Sequence, residues 1–159
     1  MNLLDQIKPA LSAGDLQGIL DLTMEHFRAD TGTIHLLESD GVLHLKAASA
    51  GIPGPVLEAV RLVPIGNGMA GLAFQRKEPV SVCNLQTDAS GAARPGAKAS
   101  GMESALVVPV LSGDQALGAL GIASRATRTF TAEETTLLTG VGRAIAALAP
   151  VKYSMLSLD

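Results

Sequence analysis

Along the chain, apolar residues recur first at helical spacing, then by twos, then in nearly unbroken runs, and finally at helical spacing again. From Asp15, whose carboxylate suits an N-cap, the set Leu16, Ile19, Leu20, Leu22, Thr23 and Phe27 predicts an amphipathic helix to about Ala29. Ahead of it, Leu3, Leu4, Ile7 and Leu11 predict a shorter helix, with Pro9 near its start or bending it. Thr33 to Glu38 and Val42 to Ser49 then alternate, and Asp40-Gly41 between them suits a two-residue hairpin turn. In that register Leu37 faces His44 and His35 faces Lys46. Both histidines and Lys46 would share a polar face, with Ile34, Leu36, Leu43, Leu45 and Ala47 on the apolar one.

Gly51 to Pro55 predicts a turn, and Pro55 to Val60 a short helix with proline near its first position. A strand, Leu62 to Ile65, leads into the cluster Gly66-Asn67-Gly68-Met69-Ala70-Gly71, which opens a helix that Glu78-Pro79 must stop; the strand Val80 to Val82 follows. Gln86 to Gly101 has no sustained period and is longer than most connections, so a functional loop or a short helix is expected, with the greatest mobility in the chain. Ser104 to Leu111 and Gln115 to Ser124, around Gly113-Asp114, read as a hairpin buried on both faces. Pro109 then implies a bulge or an unpaired position, and Gly118 and Gly121 leave room for another backbone or a bulky neighbour. Thr131 with Glu133 and Glu134 behind it resembles a capping box, and Leu137, Leu138, Val141, Ile145 and Leu148 carry a helix to Pro150; Val151 to Asp159 has no assignment. Hairpins at both ends of the strand set, with long helices at the termini, argue for an α+β fold on an antiparallel sheet rather than α/β.

At 159 residues and 47% hydrophobic content, the chain makes one domain with a substantial core. The expected division is an N-terminal extension over 1–15, a domain over 16–149 and a tail over 150–159. Aromatic residues are only 3%, too few for base-stacking platforms, and a net charge of -3 with acids and bases mixed argues against phosphate-backbone binding, so no nucleic-acid partner is expected. The longest uncharged stretch, Leu62 to Gln75, is broken by Pro64 and by glycines, and Met1 to Asp5 lacks the basic region of a signal peptide. No membrane association and a cytoplasmic location follow as expectations. A single cysteine, Cys83, excludes an internal disulfide, and no Cys/His grouping has zinc spacing, so no metal is expected.

The GxGxxG at Gly66 to Gly71 raises the question of a dinucleotide. Three features oppose it. Pro64 suits an edge strand rather than the buried first strand of a parallel sheet, the following helix is short, and the next strand ends in Cys83 and Asn84 rather than in a ribose-binding carboxylate. The glycines read as a structural turn, and no cofactor is expected.

Four features at matching mutual spacing make the chain from about Leu16 to Leu148 resemble a GAF domain. They are Thr33 to Glu38 with the Asp40-Gly41 turn; Pro64 to Gly71; Val107-Val108-Pro109-Val110 with Leu117-Gly118-Ala119-Leu120; and Phe130 to Glu134 opening the last helix. The resemblance implies a profilin-like sheet of five or six antiparallel strands, with both terminal helices on one face and a small-molecule pocket under short helices and loops on the other. It also implies a stand-alone sensory or regulatory module for an unknown small ligand, a homodimer through the terminal helices, and a separately encoded signalling protein as a further partner. Residues expected at the ligand are His35, Leu37, His44, Met69, Asn84, Asp88, Met102 and Ser104. Plainer duties compete for several of them: partly exposed strand histidines for His35 and His44, capping and turns for Asn84 and Asp88, and packing for the methionines.

The special chemistries of the family find little support in the residues. Its free methionine-R-sulfoxide reductases use several cysteines, whereas Cys83 has no resolving partner and reads as a small buried hydrophobe; an external thiol in that role is the alternative, so catalysis is not expected. Bilin-binding members carry a Cys-His pair absent from Arg94 to Met102, and the cyclic-nucleotide signature keeps only Phe130 and a final acid, with Ser124-Arg125 in place of Asn-Lys. A degenerate domain serving only as an interaction surface is a further alternative.

Overall fold

A computed structural model describes residues 2–83 and 102–157, with side chains described to residue 148. Two short helices, α1 (Leu3–Gln6) and α2 (Lys8–Ala13), replace the single predicted one; the chain breaks at Ile7, and Pro9 sits in the first turn of α2, where no intrahelical N–H is needed. Helix α3 (Leu16–Phe27) is capped by the Asp15 carboxylate, which accepts from the Gly18 N–H at 3.0 Å. Strands β1 (Thr31–Leu37) and β2 (Val42–Ala48) follow, then α4 (Gly54–Ala59), β3 (Leu62–Pro64), α5 (Gly68–Arg76), β4 (Val80–Val82), β5 (Ser104–Ser112), β6 (Gln115–Ser124) and α6 (Ala132–Ser157). The six strands form one sheet in the order β3-β2-β1-β6-β5-β4, and every neighbouring pair is antiparallel.

The two faces of the sheet carry separate cores. On one, α1, α2, α3 and α6 bury Leu3, Ile19, Leu20, Leu138, Val141 and Ile145 against Ile34, Leu106, Val108, Leu120 and Ile122. On the other, α5 packs Met69 and Ala73 on Val80, Val82, Ala105, Val107 and Ala119. Odd and even positions of β5 thus serve different cores, which is why its sequence is apolar without alternation. Pro109 is accommodated because β4 pairs only with Ala105 to Val107, so β5 has outrun its outer neighbour and has no ladder bond to lose on that side. The bulge falls elsewhere, at Leu117 opposite the Val110–Leu111 step. Gly118 is required by proximity: a Cβ built there would stand 2.1 Å from the His35 carbonyl oxygen.

The β1–β2 hairpin departs from the predicted register. Gly41 takes a left-handed φ of +79°, and its N–H bonds the Glu38 carbonyl at 3.0 Å, so Ser39-Asp40-Gly41 is a three-residue loop instead of a two-residue one. The slip pairs Leu37 with Leu43, Leu36 with His44 and His35 with Leu45, until a bulge at Lys46 restores the expected pairing of Ile34 with Ala47. His44 therefore shares the helix-covered side with Leu36, while Leu43 and Leu45 join His35 on the opposite side. The expected shared face for the two histidines is thereby corrected.

At the C-terminus the capping box forms: the Glu134 N–H bonds Thr131 Oγ1 at 3.0 Å, and the Thr131 N–H returns a bond to Glu134 Oε1 at 2.9 Å. Helix α6 does not stop at Pro150 but runs on to Ser157. Pro150 removes the backbone donor that would bond the Ala146 carbonyl, and the helix continues past it.

Candidate functional site

Between the sheet and the short helices lies a cavity of about 390 Å³. Its floor is strand-built: alternation along β1 places Thr31, Thr33 and His35 side by side, next to Gly121 and Ala123 of β6 and Ala105 and Val107 of β5. Ile52 and Pro53, with Val56, Ala59 and Val60 from α4 and its end, form a second wall, and Val63 with Asn67 to Ala70 closes the third. Apart from His35, none of the described lining residues is ionisable.

His35 is the most constrained polar group there, with only 2% of its surface exposed. Its Nε2 lies 2.7 Å from the Val60 carbonyl oxygen at the end of α4. A carbonyl only accepts, so Nε2 carries the proton. Burial lowers the pKa of the ring below 6.5, outweighing the opposite pull of that hydrogen bond, and the imidazole is neutral at pH 7. Nδ1 is then a bare acceptor, and among the described residues it is the one buried side-chain nitrogen or oxygen without a hydrogen-bond partner. Leaving such a group unsatisfied costs about 1–3 kcal/mol. Helix α4 buries none of its own residues, so its end is held to the sheet largely by carbonyl bonds: Val60 to His35, and Arg61 to the Leu45 N–H at 2.9 Å.

The opposite wall presents the first turn of α5. Asn67 stands at its N-cap but makes no side-chain capping bond, which leaves backbone donors of the first turn beside the cavity. The glycine cluster shapes this approach. A Cβ on Gly71 would meet the Pro64 carbonyl oxygen at 2.5 Å, so only glycine lets the helix fold this closely over the preceding strand.

Of the residues expected at the ligand, His35 and Met69 line the cavity. Leu37 lies further along β1 on the same side as His35, outside the lining. His44 is on the other side, bonded through Nε2 to Asp40 Oδ2 at 2.8 Å; that bond is the main reason the Asp40 pKa is lowered. Met102 packs in the α5 core, and Ser104 is buried with its hydroxyl donated to the Ala126 carbonyl at 2.8 Å. Asn84 and Asp88, and the expected mobile loop from Gln86 to Gly101, lie outside the described residues. Cys83, expected to be buried, is exposed at the end of β4. Sequence reasoning passed over Thr31, Thr33, Val56, Val60 and Asn67. The alternation Thr31, Thr33, His35 was the available signal for the first two; the contribution of α4 had none.

A second cleft, between the end of α3 and the start of α6, is lined by His26, Arg28, Arg128, Glu133 and Glu134. Its central cation is already engaged: Arg128 donates to the Phe27 carbonyl at 3.0 Å and to Glu134 at 2.6 Å, and lies over the Phe130 ring. This is a structural junction. Among the described residues, no group of His, Cys, Asp and Glu is placed to hold a metal, and no helix is long and apolar enough to cross a membrane.

A six-stranded antiparallel sheet with terminal helices on one face and a cavity under short helices on the other defines the GAF architecture, and the GAF domain family profile matches residues 15–148. The chain belongs to the GAF domain family. It is similar in fold to the GAF domain of a phosphoenolpyruvate-protein phosphotransferase from Coxiella burnetii, with a TM-score of 0.81 at 20% identity over 98% of this chain and 95% of that one. The corresponding domain from Acinetobacter gives 0.80 at 20% identity, over 96% and 93%. A free methionine-R-sulfoxide reductase from Neisseria meningitidis, solved with its substrate, gives 0.75 at 18% identity, over 92% and 85%. A sequence search of curated proteins finds no match.

Proposed function

We propose that this GAF domain is a small-molecule-binding regulatory module, whose ligand occupies the cavity between α4, α5 and the sheet and whose state is passed on through the terminal helices. The observation that carries the reading is that His35, which lines the cavity, holds a buried Nδ1 with no hydrogen-bond partner among the described residues. A domain whose pocket served only as packing would be expected to fill or neutralise such a group. The helices α3 and α6 share the face opposite the cavity and the core beneath them, which makes them the route to a second copy or to a separate signalling protein. A strict monomer in light scattering at high concentration would remove the dimer from this account.

The test is a thermal-shift screen of a metabolite library against the wild-type chain and Val56→Trp, in which the new ring occupies the cavity from the partly exposed α4. A ligand at a hundredfold its dissociation constant should add about 2.7 kcal/mol of stability, roughly 5–10 °C for a domain of this size. Val56→Trp should lose that shift. Hits that bind the variant equally well would place the site elsewhere.

The reductase alternative gains one observation, the exposure of Cys83. Turnover of free methionine sulfoxide with an external thiol, abolished in Cys83→Ser, would replace the regulatory reading with a catalytic one.

A further inference from the structure

We propose that the ligand of this cavity is a small uncharged molecule of the amide or lactam type, which donates one hydrogen bond to His35 Nδ1 and accepts at the first turn of α5, and that His35 thereby steadies α4. The inference rests on the reading of the cavity as a ligand site and specifies what that site selects.

Three features of the wall set the chemistry. His35 offers an acceptor and no further donor, because its Nε2 proton is committed to the Val60 carbonyl. The start of α5 offers backbone donors at Gly68, Met69 and Ala70, beside the Asn67 amide, which can donate or accept. Apart from Asn67, everything between is apolar or a threonine, with no lysine or arginine among the described lining residues. A ligand with one N–H or O–H and one carbonyl-type oxygen on an apolar body satisfies both ends. Among the described residues a carboxylate would find the positive end of one short helix and no cation, which offsets only part of the cost of dehydrating it. A ligand cation would find no carboxylate among the described lining residues.

The same imidazole is joined to α4, which has no fully buried residue of its own. Accepting a hydrogen bond at Nδ1 polarises the ring and strengthens the Nε2–H bond to Val60, since linked hydrogen bonds reinforce one another. Occupancy is thus read as a tighter α4, and the Val60 amide, bonded back to the Val56 carbonyl at 3.1 Å, reports it.

The test uses matched probes on the full chain: oxindole and N-methyloxindole, benzamide and N,N-dimethylbenzamide, and benzoate. Affinities are measured by calorimetry, and hydrogen exchange is followed across α4. Oxindole and benzamide should bind about tenfold more tightly than their methylated partners, equivalent to ~1.4 kcal/mol, and should slow exchange at Leu57 and Val60. In His35→Phe, which keeps the ring and removes both nitrogens, the preference and the slowing should vanish. A preference that persists in His35→Phe would be steric and would overturn the proposal. So would equal binding of each pair, benzoate as the tightest probe, or no binding by any probe. The comparison within the wild-type chain stands even if the variant does not fold. A metabolite hit displaced by Val56→Trp, together with failure of every probe here, would overturn this ligand class while leaving the regulatory reading intact.

Discussion

Replacing Gly118 by alanine tests the arrangement that carries His35 to the cavity. Residue 118 of β6 pairs with Leu36 of β1, and the added Cβ would stand 2.1 Å from the His35 carbonyl oxygen and 2.8 Å from a Leu36 methyl carbon. The oxygen is backbone in the centre of a six-stranded sheet, so relief requires the strands to part rather than a side chain to turn. Overpacking of this kind costs about 1–3 kcal/mol and occasionally more, and a main-chain clash puts Gly118→Ala near or above ~3 kcal/mol. For a domain of this length that lowers Tm by roughly 6–12 °C. Gly54→Ala is the control, because a Cβ there meets nothing within 4 Å and the backbone is not left-handed; it should change stability by less than about 0.5 kcal/mol or raise it slightly. Urea unfolding followed by far-ultraviolet circular dichroism measures both. Equal midpoints for Gly118→Ala and the wild type would mean that β1 and β6 are not paired as described, and the placement of His35 would go with them.

Further expectations concern pH, capping and the thiol. Burial holds the His35 pKa below its ordinary 6.5, so between the two values the unfolded chain binds a proton that the folded chain refuses. Its contribution is therefore constant above about pH 6.5 and is lost as pH falls through that window; the difference in urea midpoint between wild type and His35→Phe should narrow toward acid, and a constant difference would contradict the buried neutral ring. Glu134 behaves oppositely in origin: the Thr131 N–H, and then Arg128, lower its pKa, giving stability present above the unfolded value of 4.5 and lost as pH falls through the folded one, which Glu134→Gln should remove from the acid limb. Thr131→Ala should cost about 1 kcal/mol by deleting the cap, and an unchanged Tm would remove the capping box from the account. Cys83 should react with a maleimide in the native protein about as fast as in urea, and native-state protection would contradict its exposure.

Much of this architecture was legible because local signals and the fold agree. Asp15, Thr131, the glycine cluster and the two apolar runs each predict the element that forms there. The register of the first hairpin was not legible, since Asp40-Gly41 serves equally in a two-residue turn and at the end of a three-residue loop with glycine left-handed. One residue of difference moves His44 off the ligand side and brings Leu43 and Leu45 onto it. No periodicity could settle this, because the bulge at Lys46 restores the expected faces further along. The cavity wall from α4 was hidden for another reason: α4 has no buried stripe to announce itself, and its link to His35 uses a backbone carbonyl that any residue at position 60 would supply.

The central claim, that a small molecule lies between α4, α5 and the sheet and is read by His35, is tested most directly by backbone-amide NMR of the domain titrated with a hit from the metabolite screen. Saturable shifts are expected at Thr33, Val60, Met69 and Gly121, residues that share the cavity wall though they come from four parts of the chain. Shifts gathered instead around Arg28, Arg128 and Glu133, or along the outer faces of α3 and α6, would contradict it.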